Sequence, residues 1–325
     1  MNRLSTIGLI LLAVLGNPSL RAEGPSPSLA GFPSKPIRWI VPFPPGGPTD
    51  VVARIVGQRL GEHLKQPVLV ENRPGAFGNI GLEAAARAAP DGHTIVHGTT
   101  NVPLTAALYP LRFDPLTELT AVAPLTTTTF VLLASADFPA TTIPEVLAAA
   151  KAKPGMVTCG WGAPLFHLAC QLLKVQGKVE IRAVPYKGNA PAMTDLISGQ
   201  IKLLFDAPNT ALPQVKANRV RAIATTGPRR AEAPLHHLPA VSETLAGFEL
   251  LGWQGVLAPA GTPREIVNRL NREIAGVLAE EEVRKRLTDS GLEVASGSAE
   301  ALTEILRQDY ARFSKIIRDA GIKPE

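Results

Sequence analysis

The stretch VPFPPGGPTDVVARIVGQRL, residues 41–60, decides how this chain is read. An apolar run from Ile37 to Phe43 ends in Pro-Pro-Gly-Gly-Pro, and a helical pattern starts at about Thr49. That is a strand, a tight glycine turn and a helix N-terminus in succession. The first turn of a helix leaves backbone N–H groups without internal partners, and the helix dipole adds positive potential there. Such a turn can seat a carboxylate or phosphate. Pro44, Pro45 and Pro48 carry no N–H, which leaves the amides of Gly46, Gly47, Thr49 and Asp50 as donors. Taken alone, the turn serves equally well as an ordinary strand-to-helix connection.

Working outward, short apolar runs alternate with amphipathic segments. Strands are expected at 37–43, 68–71, 94–97, 119–123, 130–134, 156–159, 181–184, 202–205, 220–225 and 255–258. Helices are expected at about 49–64, 79–89, 143–152, 165–176, 190–198, 209–217, 263–279, 281–289 and 299–320. Thr142-Ile-Pro-Glu145 has capping-box spacing ahead of an alanine-rich helix. Ile266, Leu270, Ile274, Val277 and Leu278 lie on one 3.6-period face. Strands separated by helices of this length point to an α/β fold of parallel sheets covered on both faces. Seams near Ser135–Pro144 and Leu250–Trp253 predict one lobe from residues 33–134 plus 254–325 and an inserted lobe from 135–253. Two crossings make a hinge, and the strand ends of both lobes can line one cleft.

Met1-Asn2-Arg3 followed by the ten-residue apolar run Ile7–Gly16 has the pattern of a secretory signal peptide, with cleavage expected after Ala22. The run is too short to span a bilayer, which needs about 20 residues. Loss of Arg3 and Arg21 with it brings the 33 basic residues to 31, against 28 acidic. This small, scattered excess, with no aromatic interleaving, argues against nucleic-acid binding. Cys159 and Cys170 show no metal spacing; in an oxidising compartment they either pair or remain two buried thiols.

The segments PSKPIRWIVPFPPGGPTDVVAR (33–54), VLVENRPGAFGNIG (68–81), APDGHTIVHGTTN (89–101), VPYKGNAPAMTDLISGQIKLLFD (184–206), RAIATTGPRR (221–230) and LAPAGTPREIVNRLN (257–271) follow in that order. On them the chain resembles the Bug family, the periplasmic receptors of tripartite tricarboxylate transporters. The resemblance covers about residues 33–325. It implies a two-lobed Venus-flytrap fold with two mixed or parallel sheets and a central cleft, no enzymatic activity and no cofactor or metal. It also implies a monomer in the periplasm that binds a small organic carboxylate and delivers it to membrane subunits of the transporter.

Carried over by position, the ligand loops are Phe43, Pro44, Gly46, Gly47, Thr49 and Asp50, then Thr99, Thr100 and Asn101. In the second lobe they are Gly160, Trp161, Gly162 and Ala163, then Tyr186 and Lys187, then Asp206. Asp206 suits either a hydroxyl or cationic group of the ligand or a cap for the next helix. The loop at 159–164 departs from the family pattern: Cys159 and Pro164 replace the usual serines and Trp161 stands where a small residue is usual. Pro164 donates no N–H, so the second carboxylate grip weakens, and Trp161 either stacks on an apolar or aromatic part of the ligand, fills the space and leaves a smaller pocket, or packs away from the cleft.

Three other readings compete. Cys159 ahead of a helix with His167 eight residues on could suggest a Cys/His hydrolase, but His167 reads better as a structural histidine. Gly75, Gly78 and Gly81 have G-x-x-G-x-x-G spacing, not the dinucleotide fingerprint, and read as a tight turn. An extracytoplasmic sensor subunit for a signalling receptor would have the same cleft.

Overall fold

The computed structural model describes residues 31–231 and 234–322. The signal peptide expected at 1–22 lies outside them. The first half of the chain runs β1 (Ile37–Val41), α1 (Pro48–Leu64), β2 (Val68–Asn72), α2 (Asn79–Ala86), β3 (Thr94–Thr99), α3 (Asn101–Leu108), β4 (Leu119–Thr129), β5 (Val131–Ser135) and α4 (Ile143–Ala152). The second runs β6 (Val157–Trp161), α5 (Pro164–Gly177), β7 (Ile181–Pro185), α6 (Asn189–Ile197), β8 (Leu203–Asp206), α7 (Pro208–Lys216), β9 (Val220–Thr225), β10 (Leu251–Pro259), α8 (Arg264–Ala279), α9 (Glu281–Asp289), β11 (Glu293–Val294) and α10 (Ala299–Ala320).

Two sheets form, in the orders β11-β4-β10-β3-β1-β2 and β7-β6-β8-β5-β9. Both are mixed: β1, β2 and β3 pair in parallel, as do β6, β7 and β8, but β10 is antiparallel to β3 and β4, and β5 to β8 and β9. The antiparallel pairings involve the strands that leave or enter a sheet at the crossings, together with the short edge strand β11, and give the mixed sheets implied by the family resemblance, where the strand–helix alternation alone pointed to parallel ones.

Strands covered on both faces are apolar throughout rather than alternating. In β1, Trp39 faces α1 and α8 with Val52, Val56, Leu60, Leu270 and Ile274, while Ile40 faces the opposite side with Leu82, Val102 and Leu302. In the second sheet Leu132, Cys159 and Phe205 pack against α4 and α5, while Val131, Leu133 and Leu204 pack against α6 and α7. Helix α10 serves both: Leu302 and Leu306 cover the first sheet, and Phe313 sits in the core of the second. The cap anticipated at Thr142 is present, with its hydroxyl accepting from the Glu145 amide. Cys159 and Cys170 form a disulfide that ties β6 to α5.

The chain passes between the sheets at Phe130 and at Leu250–Leu251. The first crossing lies upstream of the seam expected at Ser135, because the run Thr126–Thr129 continues β4 and β5 already belongs to the second sheet. Fully buried Thr226 joins both crossings. Its N–H donates to the Phe130 carbonyl (3.0 Å), its carbonyl accepts from Leu250 N–H (2.9 Å), and its hydroxyl donates to the Leu250 carbonyl (2.6 Å) and accepts from Phe130 N–H (3.0 Å). Thr226→Val should lower unfolding stability by about 1–3 kcal/mol, since it strands a buried donor and a buried acceptor. Thr226→Ser should retain most of it; equal losses in urea titrations of the two variants would refute this role for the hydroxyl.

Candidate functional site

A cavity of about 630 Å³ lies between the two sheets. One wall is the 43–49 turn with Thr99, Thr100 and Asn101; the other holds Phe130, Leu165, Ala207 and Asn209. Thr128 and Gly252-Trp253-Gln254, on the strands of the crossings, form the back, and Ser290-Gly291-Leu292 close one side. Among the described residues, no Lys, Arg, Asp or Glu lines it.

Helix N-termini stand in for charged side chains. The starts of α1, α3, α5 and α7 all contribute lining residues, and none of these four has a side-chain N-cap hydrogen bond. Thr142 and Ser298 cap α4 and α10, while α2, α6, α8 and α9 also lack a side-chain N-cap bond but do not begin at the cavity, so it is the convergence of four helix starts on one space that sets the site apart. Uncapped first-turn amides aimed at a cavity supply donors and positive potential without a formal charge.

The α1 turn is held from behind. Asp50 is almost completely buried, and its carboxylate accepts from Gly46 N–H (2.9 Å), Arg54 Nε (2.9 Å) and Asn72 Nδ2 (2.9 Å). The Arg54 hydrogen bond is the main reason its pKa is lowered to about 2. Two expectations change here. Asp50 does not line the cavity, and the Gly46 amide is already spent on it. Gly46 lies at φ +80°, a left-handed conformation that glycine adopts without strain and that turns its N–H back toward Asp50. The amides left at this end are those of Gly47, Thr49 and Asp50, which precede the first helical bond, Val51 N–H to the Gly47 carbonyl.

In the second loop, Thr100 has its hydroxyl engaged with β10, accepting from Trp253 N–H (2.8 Å) and donating to the Leu251 carbonyl (3.3 Å). Thr99 Oγ1 accepts from Asn101 N–H (3.2 Å). Its own proton and the Asn101 carboxamide remain for the cleft.

The second wall repeats the device of the first. Asn189 Nδ2 donates to the Phe205 carbonyl (2.9 Å) and to Asp206 Oδ1 (2.8 Å), just as Asn72 Nδ2 donates to the Phe43 carbonyl (3.1 Å) and to Asp50. Asp206 also accepts from Ala207 N–H and the Thr210 hydroxyl, so it organises the start of α7 from behind; burial raises its pKa. It does not line the cavity, whereas its neighbours Ala207 and Asn209 do. Asn189 Oδ1 accepts from Gly162 N–H (3.0 Å), linking α6, α7 and the β6–α5 loop.

Of the residues read from the sequence, Phe43, Pro44, Gly46, Gly47, Thr49, Thr99, Thr100 and Asn101 line the cavity. Gly160, Trp161, Gly162, Ala163, Tyr186 and Lys187 do not. Trp161 stacks on His167, 4.4 Å between ring centroids, and borders a separate groove beside β7. The Tyr186 hydroxyl donates to Asp195 (2.7 Å), and Lys187 is exposed. The disulfide occupies the Cys159 sulfur that a hydrolase would need as a thiolate. Gly81 admits no Cβ, which would stand 2.7 Å from Pro42 and 2.9 Å from the Arg73 carbonyl, so the three-glycine segment is a close-packed turn.

Sequence reading missed Leu165, Asn209, Thr128, Phe130 and Gly252-Trp253-Gln254, along with Ser290-Gly291-Leu292. The Leu250–Trp253 seam was the available signal: a strand that crosses between two lobes must border the space between them. Nothing local marks Ser290–Leu292.

Two sheets of opposed helix ends around one cleft, joined at paired crossings, define the periplasmic binding-protein fold. Among known structures, the chain is similar to Rpa4515 of R. palustris solved with adipate (33% identity, TM-score 0.78, 90% of this chain and 100% of that one). It is also similar to MatC of Rhodopseudomonas palustris with bound malate (31%, TM-score 0.74, 88% and 100%). A protein of Pseudomonas sp. strain P51, described as a UPF0065 protein in the tcbD-tcbE intergenic region, is 37% identical over 295 residues, 89% of this chain and 87% of that protein. Protein BugT of Bordetella pertussis is 32% identical over 324 residues, 96% and 98%. Residues 52–322 match the tripartite tricarboxylate transporter family receptor, TctC. The chain belongs to this Bug/TctC family of binding receptors. No helix among the described residues is long and apolar enough to cross a membrane, and no metal-ligating cluster occurs among them.

Proposed function

We propose that this chain is a periplasmic solute receptor that takes a small organic carboxylate into the cleft and passes it to the membrane subunits of a tripartite tricarboxylate-type transporter. The observation that carries this reading is the convergence of four uncapped helix N-termini on a cavity without charged side chains. An anion is the guest such a cavity suits, and Phe130, Leu165 and Leu292 suit a hydrocarbon portion. Relatives solved with adipate and with malate support a carboxylate of that size. On this reading the lobes meet at the two crossings, the chain before Phe130 and from Leu251 onward forming one and the stretch between them the other, and the receptor acts as a monomer.

A thermal-shift screen against a carboxylate library containing adipate and malate tests the reading, since a ligand that binds only the folded state raises Tm. At least one acid should raise it; a library without a hit would reject the reading. The grip is tested at Gly47. Its φ of −77° already suits proline, and its Cβ position meets only the Pro44 carbonyl at an ordinary 3.5 Å. Gly47→Pro therefore removes the donor with little change of backbone. It should weaken the best hit by about 10- to 100-fold, the loss of one hydrogen bond to a charged group of about 1.5–3 kcal/mol. Gly47→Ala keeps the N–H and should bind nearly as the parent does. Equal affinities in calorimetry for both variants would place the anion elsewhere.

A further inference from the structure

Gln254 lies at the back of the cleft and is 8% exposed. Behind it is His97, fully buried on β3, with its ring stacked on Trp39. His97 Nε2 and Gln254 Oε1 are 2.8 Å apart. The other imidazole nitrogen, Nδ1, is buried and has no partner among the described residues. A proton on Nδ1 would be an N–H buried without an acceptor, whereas on Nε2 it has the Gln254 oxygen. Burial also lowers the pKa of His97 to about 4, so the ring is neutral at ordinary pH. A neutral imidazole donating through Nε2 fixes which way the Gln254 amide faces. Its NH2 then has no acceptor among the described residues, yet it is not among the polar atoms sealed from solvent without a partner. The space it opens onto is the cleft.

We propose that Gln254 is a specificity-determining residue that holds two fixed N–H donors toward the bound solute, and that His97 is the positioning residue that sets their direction. The proposal rests on the carboxylate reading above and deepens it. It assigns the back of the cleft to an acceptor group of the solute, a carboxylate or carbonyl oxygen. It also gives the buried histidine a purpose: a freely rotating glutamine would offer its carbonyl as readily as its amine, and a carbonyl there would repel the anion.

Two measurements test this separately. In protein labelled with 15N-histidine, the His97 resonances are identified by their loss in His97→Phe. Long-range 1H–15N correlation should show a neutral ring with its proton on Nε2, unchanged from pH 5.5 to 8. A proton on Nδ1, or a charged ring in that range, overturns the proposal whether or not any ligand is known. The second measurement is calorimetry with sodium adipate. Gln254→Leu should bind about tenfold more weakly than the parent chain, and Gln254→Glu, which turns a carboxylate toward the guest, at least a hundredfold more weakly. Unchanged affinity in both variants overturns the proposal. A parent chain that binds no acid in the carboxylate screen counts against the receptor reading, while the imidazole spectrum still decides the orientation of Gln254.

Discussion

Asp50→Ala should cost about 3–4 kcal/mol of stability and at least tenfold in affinity for the carboxylate found by screening. The substitution removes one buried acceptor shared by Gly46 N–H, Arg54 and one hydrogen of Asn72 Nδ2, whose other bond, to the Phe43 carbonyl, remains. Breaking a buried charged pair from one side costs about 3–5 kcal/mol, and Arg54 is half exposed and recovers part of that from water. The affinity loss follows from geometry. With Asp50 gone nothing pins Gly46, and the amides of Gly47 and Thr49 lose the fixed direction that makes them a preorganised grip. Asp50→Asn separates charge from shape. The folded carboxyl titrates at about 2, below its ordinary value of 3.8, because Arg54 hydrogen-bonds to it. Its stabilising contribution is therefore complete above about pH 4 and is lost as the pH falls from there toward 2. The stability gap between the parent and Asp50→Asn should be constant from pH 5 to 8 and should close on acidification. A gap as wide at pH 2.5 as at pH 7, or no loss of affinity in a folded Asp50→Ala, would remove Asp50 from its place behind the turn.

Gly162→Ala should be at least as damaging. A Cβ on Gly162 would stand 2.0 Å from the Gly188 carbonyl carbon, 2.3 Å from the Asn189 nitrogen and 2.4 Å from the Gly188 oxygen. All three are backbone atoms, so no rotamer change relieves the contact and the β6–α5 loop must part from the start of α6. That separation also breaks the Gly162–Asn189 hydrogen bond and, through Asn189, the support of Asp206. Overpacking of this kind costs about 3 kcal/mol or more. By the usual conversion for domains of 150–250 residues, it should lower Tm by roughly 6–12 °C. Gly188 has nothing within 4 Å of its own Cβ position, but its φ of +100° strains any side chain, so Gly188→Ala is the milder control. A Gly162→Ala protein melting with the parent would show that the two loops do not touch in solution.

These residues also show what could be read without coordinates. The Pro-Pro-Gly-Gly-Pro turn was legible because proline and glycine restrict the backbone locally, and the helix after it begins where expected. The partner of each turn amide was not legible. Asp50 and Asn72 come together only through strand pairing, so the Gly46 donor looked free although it is spent. Asp206 shows the same limit: an Asp at the end of a strand can face a cleft or the helix behind it, and the decision rests with Asn189, 17 residues earlier. The Thr126–Thr129 run lacked the apolar signature of a strand, which hid the extension of β4 and moved the crossing to Phe130. Trp161 invited a ligand-stacking role on size alone, and instead His167, one turn into α5, takes up its face.

A cleft walled by helix ends and free of ionised side chains has one more implication, for departure rather than capture. A guest neutralised by a lysine or arginine has to abandon a counter-ion when it leaves. Here the attraction is the sum of dipoles pointing from opposite sides, each effective only within about one helical turn. On the receptor reading proposed above, opening of the cleft would collapse that sum without rupture of any ion pair, and water would take over the vacated amides. A receptor of that kind would shed its cargo by opening.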